Sequence, residues 1–170
     1  VASRFWVVET LLRPITAVIK ATPVASFIIL VLLWFSGKNL SVIISMLMVF
    51  PVIYMNVLEG IRSADEKLLE MAQVFRLSVG KKLLYIYLPA VAPFFVSACS
   101  VSLGLCWKSG IAAEVIGTPD GSIGAVFYQA KIFLQTSELL AWTVVVVAVS
   151  VAFEKLFMFL LRLVLKKLKM

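Results

Sequence analysis

Long apolar runs separated by short polar breaks dominate this chain. Four runs, at residues 15–35, 40–58, 88–107 and 139–161, are each close to the length a helix needs to cross a bilayer's hydrocarbon core. They are continuous and do not alternate in the manner of a barrel strand, and only helices or closed barrels satisfy their backbone groups in lipid. The pattern predicts an all-α integral membrane protein of about four transmembrane helices, forming a single membrane domain over residues 1–170. Ser36-Gly37-Lys38-Asn39 predicts a tight turn joining the first two spans as a hairpin.

The longest polar break, at residues 62–87, has helical character. Ser63-Ala64-Asp65-Glu66 fits a capping box, so a short helix is expected to start there. Leu68, Leu69, Ala72 and Phe75 recur at spacings that gather them on one side, with Glu66, Lys67, Glu70 and Gln73 over much of the rest. A second segment, 79–88, carries Lys81 and Lys82 and leads to Pro89, which suits the first turn of the third span.

Composition agrees with the pattern: 62% hydrophobic residues and a mean hydropathy of +1.07 exceed what a water-soluble domain of this size can cover with polar surface. The net charge of +7 does not point to nucleic acid, because the basic residues are scattered among the apolar runs. Their distribution sets a topology instead. Arg62, Lys67, Arg76, Lys81 and Lys82 in the loop, Arg162, Lys166, Lys167 and Lys169 in the tail, and Arg4 and Arg13 at the start face only Lys38, Lys108 and Lys131 on the other side. The positive-inside rule then puts the long loop and both termini of this segment in the cytoplasm. Cys99 and Cys106 lie in an apolar run and imply neither a disulfide framework nor a metal site. Histidine is absent and no carboxylates cluster within the spans, which argues against a membrane enzyme and leaves no catalytic residue to name.

Several other residues invite a role. Small residues in the third span, including the pairs Ala98/Ser102 and Ser100/Gly104, have the spacing of close membrane-helix contacts. Ser100 and Gly104 are candidates for a translocation path. So is Pro23, where a kink is expected, and so is Glu114, an ionisable group among apolar neighbours. Glu114 is expected either to pair with Lys108 or to cap backbone donors. Residues 118–122 read as a turn cluster on the outer side and 123–135 as a short interfacial helix. Glu154 and Lys155 sit near the inner end of the last span.

Glu70-Met71-Ala72, then Arg76, then Ile86-Tyr87-Leu88-Pro89 resembles a motif of permease subunits in binding-protein-dependent ABC importers: E-A-A, three residues, G, nine residues, I-x-L-P. Trp107-Lys108-Ser109-Gly110 through Gly117, with Phe153-Glu154-Lys155-Leu156, is similar to the branch handling nitrate, sulfonates and taurine. The resemblance implies a type I importer permease, N-terminally incomplete because such chains usually carry further spans upstream. Its 62–87 loop would be a coupling helix seated in an ATP-binding subunit, with Leu68, Leu69, Glu70, Ala72, Phe75, Arg76, Gly80, Ile86, Leu88 and Pro89 as coupling residues. It also implies a second permease copy as in a homodimer, an extracytoplasmic solute-binding protein, and residence as a multi-pass protein in a bacterial-type inner membrane. No G-x-x-x-x-G-K-[ST] stretch occurs, so this chain is expected to bind no cofactor and no metal, ATP and magnesium being used by the partner subunit. Two departures stand out: Met71 at the second motif alanine, and Arg76 at the motif glycine. The second is expected to alter the turn or move it toward Gly80. A passive channel or a non-transport membrane scaffold is the alternative reading.

Overall fold

A computed structural model describes residues 2–35 and 37–167, with side chains from residue 9 onward except that of Lys38. Ser36 of the expected turn and Lys169 of the basic tail lie outside the described residues. The helices are α1 (Ala2–Ala21), α2 (Val24–Trp34), α3 (Leu40–Arg62), α4 (Glu66–Val74), α5 (Val79–Lys82), α6 (Leu88–Gly117), α7 (Ile123–Ile132) and α8 (Thr136–Lys167). A 3₁₀ turn at Gly37–Asn39 precedes α3, and a π-helical turn at Leu83–Tyr87 joins α5 to α6. Among the described residues no strand occurs. Among the described residues three helices are long and apolar enough to cross a membrane, Leu40–Arg62, Val79–Gly117 and Thr136–Lys167, and the bent pair Glu9–Ala21 with Val24–Trp34 makes a fourth if it is one span.

Two boundaries differ from the hydropathy reading. Where one kinked span is expected over 15–35, Glu9–Ala21 and Val24–Trp34 meet at 105°. Pro23 is extended (φ −58°, ψ 135°) at the N-cap of α2, and its ring disfavours helical angles at Thr22, so the helix stops and restarts. The carbonyl of Pro23 accepts from Ser26 N–H at 3.0 Å, opening the new helix. The third span does not begin at residue 88, because Val79–Gly117 is one continuous helix. The π turn, in which Leu88 N–H donates to the carbonyl of Leu83, lies directly before Pro89, whose ring would otherwise clash with the carbonyl four residues back.

The chain divides into two compact units, Val1–Pro51 with Gly104–Ser150, and Val52–Leu103 with Val151–Met170. In the first, Ile28, Leu40, Ile44 and Ala113 form a buried cluster flanked by Phe27, Leu32 and Met48. It closes because α6 presents Gly110, Ala113 and Gly117 on one face. A Cβ at Gly110 would stand 3.0 Å from Ser45 Oγ, and one at Gly117 would collide with the Leu40 side chain. Ser45 Oγ also donates to the carbonyl of Cys106 at 3.0 Å. Lipid removes any hydrophobic drive between helices, so close backbone approach and such hydrogen bonds hold them together.

In the second unit Gly60 brings α3 against α6, a Cβ there standing only 2.8 Å from Val91 Cα. Ala98 and Ser102 are buried as a close-contact pair would be. Gly104 is different, since nothing lies within 4 Å of a Cβ built on it. The least exposed positions of α8 recur every three or four residues, at Trp142, Val146, Ser150, Glu154, Met158 and Leu161. Between Leu140 and Leu160 the other positions of that helix are exposed and, apart from Thr143 and Lys155, apolar, as suits a lipid or subunit neighbour.

Candidate functional site

The 62–87 loop is a folded element. Its helix α4 starts at Asp65, whose carboxylate accepts from Lys67 N–H at 2.8 Å. The expected capping box at Ser63 does not form. Ser63 still belongs to the last turn of α3, its N–H bonded to the carbonyl of Glu59 at 2.9 Å, and its hydroxyl donates back to the carbonyl of Gly60 at 2.9 Å.

At its other end α4 closes on Arg76, which adopts a left-handed φ of 48°. Arg76 N–H donates to the carbonyl of Gln73 at 3.0 Å and Leu77 N–H to that of Ala72 at 2.9 Å, the two bonds of a Schellman cap. Leu77 then packs on the loop's buried cluster. The turn therefore stays at the motif-glycine position and does not move to Gly80, which is helical and exposed within α5. The strain falls on arginine. Arg76→Gly is expected to strengthen the α4 terminus by about 1 kcal/mol, read as slower amide exchange over residues 66–77, whereas Arg76→Ala should give no such gain.

The cluster beneath α4 is small and fully apolar: Ala64, Ala72 and Ile86 are buried, with Leu69, Leu77, Tyr87 and Ala90 against them. Ala72 is 0% exposed and Ile86 8%. This divides the expected docking face. Leu69 and Ala72 turn inward and anchor the loop to its own chain, as does Ile86. Leu68, Met71, Val74 and Phe75 point outward, the last two at 79% and 70% exposure. Met71 and Val74 escape a reading of periodicity alone, although Met71 sits midway between Leu68 and Phe75 on the same helical face. Glu70, Arg76 and Gly80 are exposed, as are Leu88 and Pro89. Gly80 borders an apolar cleft of about 370 Å³ between Ile61, Leu83, Leu84, Tyr87 and Leu88. The loop thus offers an apolar outer strip, rimmed by Glu66, Lys67, Glu70 and Arg76, on a helix fixed at both ends.

The other candidates lie elsewhere. Glu114 Oε2 accepts from Gly124 N–H at 3.1 Å, and Ser122 Oγ accepts from Ala125 N–H at 3.1 Å. Both satisfy the free donors at the start of α7, so of the two expected roles Glu114 takes the capping one. Gly124 is needed for that contact, because a Cβ on it would overlap the backbone of Glu114. Ser100 Oγ donates to Glu154 Oε1 at 2.8 Å. Pro23 occupies the α1–α2 break, and Gly104 faces open space.

Over residues 1–170 the chain matches the family described as "Binding-protein-dependent transport system inner membrane component". The chain belongs to that family. Among curated proteins it is similar to two named as aliphatic sulfonates transport permease protein SsuC. The one from Escherichia coli is 37% identical over 145 residues, 83% of this chain and 51% of that protein. The one from Bacillus subtilis is 30% identical over 144 residues, 84% of this chain and 51% of the relative. The taurine transport system permease protein TauC of E. coli is 27% identical over 148 residues, covering 86% and 54%. The chain spans about half the length of these relatives.

Proposed function

We propose that this chain is the membrane-spanning part of a permease subunit in an ATP-driven importer, translocating a small solute handed over by an external binding protein. The observation that carries this reading is the loop at residues 62–87. Its inner face is spent on its own anchor, while its outer face leaves Leu68, Met71, Val74 and Phe75 uncovered within a charged rim. A stiff knob with an apolar tip is suited to receive a rigid-body push from a partner. That partner is an ATP-binding subunit holding the ATP and magnesium, and a second permease copy completes the pathway. The excess of lysine and arginine around the loop and tail supports a cytoplasmic loop and cytoplasmic termini in an inner membrane. Most of these relatives are named for sulfonates, taurine, bicarbonate or nitrate, which favours a small solute bearing an oxyanion group.

Glu70 is exposed on α4 beside the outer strip, and Glu70→Lys reverses its charge without touching the anchor. Uptake of radiolabelled taurine, nitrate or an alkanesulfonate, whichever the wild type carries, is expected to fall to background. Solute-stimulated ATPase should be lost with it, while the subunit remains inserted and folded. Normal uptake by this variant would overturn the assignment of the loop.

A further inference from the structure

Within the second unit, a cleft of about 400 Å³ opens beside α8. One part of its lining is polar: Ser100, Glu154, Lys155 and Arg162. The rest is apolar, supplied by Val151, Met158 and Phe159. Glu154 is half-buried and held by the Ser100 hydroxyl at 2.8 Å. Lys155 and Arg162 are exposed and seven residues apart, which puts them on one side of α8 with about 10 Å of rise between them. Long side chains from such positions can converge on one group placed between them. Two cations against one carboxylate leave the cleft with an excess of positive charge. The flank of α8 alongside it continues as exposed Leu156, Leu160, Leu163 and Val164.

The geometry points to a binding site for an anionic phospholipid, its phosphate between Lys155 and Arg162 and an acyl chain along Val151, Met158 and Phe159. Charge complementarity selects the phosphate, and the apolar wall selects a lipid over a free oxyanion, which would gain nothing from it. The site rests on the bilayer topology proposed above, with the basic end of α8 at the cytoplasmic surface. Ser100, donating to the Glu154 carboxylate at 2.8 Å, fixes where the one negative charge of the cleft sits.

The test uses the assembled full-length transporter in nanodiscs of phosphatidylglycerol mixed with phosphatidylcholine, retained lipids being counted by native mass spectrometry. Wild type is expected to retain phosphatidylglycerol selectively, and Lys155→Gln/Arg162→Gln to lower that preference about thirtyfold. Lys155→Arg/Arg162→Lys should keep it, and so should Lys166→Gln/Lys167→Gln, which removes two cations outside the cleft. Equal preference in wild type and the Gln double variant would overturn the site. So would displacement of the lipid by inorganic phosphate in excess, since that marks a free-oxyanion site. Efficient disulfide formation between two Val151→Cys copies would overturn it too, as a second copy would then cover the cleft. Uptake into proteoliposomes made from the same purified wild-type transporter separates the two readings. Transport without lipid preference sinks the site alone, and lipid preference without transport sinks the functional reading alone.

Discussion

Gly60→Val is expected to cost about 3 kcal/mol or more and to collapse the yield of folded protein, because the new side chain meets backbone and has nowhere to go. The Cβ alone would stand 2.8 Å from Val91 Cα and 3.3 Å from the Phe94 ring. A flexible side chain could swing aside from such a contact, but a helix backbone must translate. Translation of α6 at Val91 would drag Ile86 and Ala90, five and one residues earlier in the same continuous helix, out of the cluster that anchors α4. Gly80→Ala is the matched control. It too lies in a helix, but nothing stands within 4 Å of its added Cβ, so it should be neutral or stabilising by about 0.5–1 kcal/mol. Thermal unfolding of both variants in detergent gives the comparison. A Gly60→Val protein melting with the wild type would mean that α3 and α6 are not in contact there.

How much of this was legible beforehand depends on the range of the interaction that decides each feature. The four apolar runs disclose the class because each run is its own evidence, needing only the length of a bilayer. Pro23 likewise marks its break locally, although the 105° angle is set by how α2 packs through Ile28 on Leu40 and Ile44. The inner face of α4 was out of reach. Apolar residues lie on both sides of that helix, and the choice between them is made by Ala64 and by Ile86, fourteen residues downstream of Ala72.

Caps show the same division. The capping box puts the start of α4 at Ser63, but Asp65 is the residue that caps it, because Ser63 is still engaged in the helix before. At Arg76 the residue's preference argues against a left-handed turn. Two backbone hydrogen bonds and the packing of Leu77 together exceed the penalty of about 1–2 kcal/mol, so the motif geometry survives without its glycine. Glu114 declares itself as an ionisable group among apolar neighbours. Its partner, a backbone donor ten residues on, is created only when α7 folds back.

Opposite faces of α4 should therefore fail in different ways when substituted. Ala72→Phe forces a ring into a site with 0% exposure between Ala64 and Ile86, where overpacking costs about 1–3 kcal/mol. That is enough to release a nine-residue helix held by one small cluster, so amide exchange across residues 66–77 should rise toward that of an unanchored segment. ATPase stimulation and uptake should fall together with it. Met71→Asp/Phe75→Asp leaves the cluster intact, because both side chains are exposed, at 47% and 70%. Its exchange pattern and melting temperature should match the wild type while uptake and coupling are lost, since two carboxylates would have to be desolvated against an apolar groove. If the outer double variant unfolds the loop, or Ala72→Phe leaves it protected, the assignment of inner and outer faces is reversed. The anchor and the docking surface would then have exchanged places.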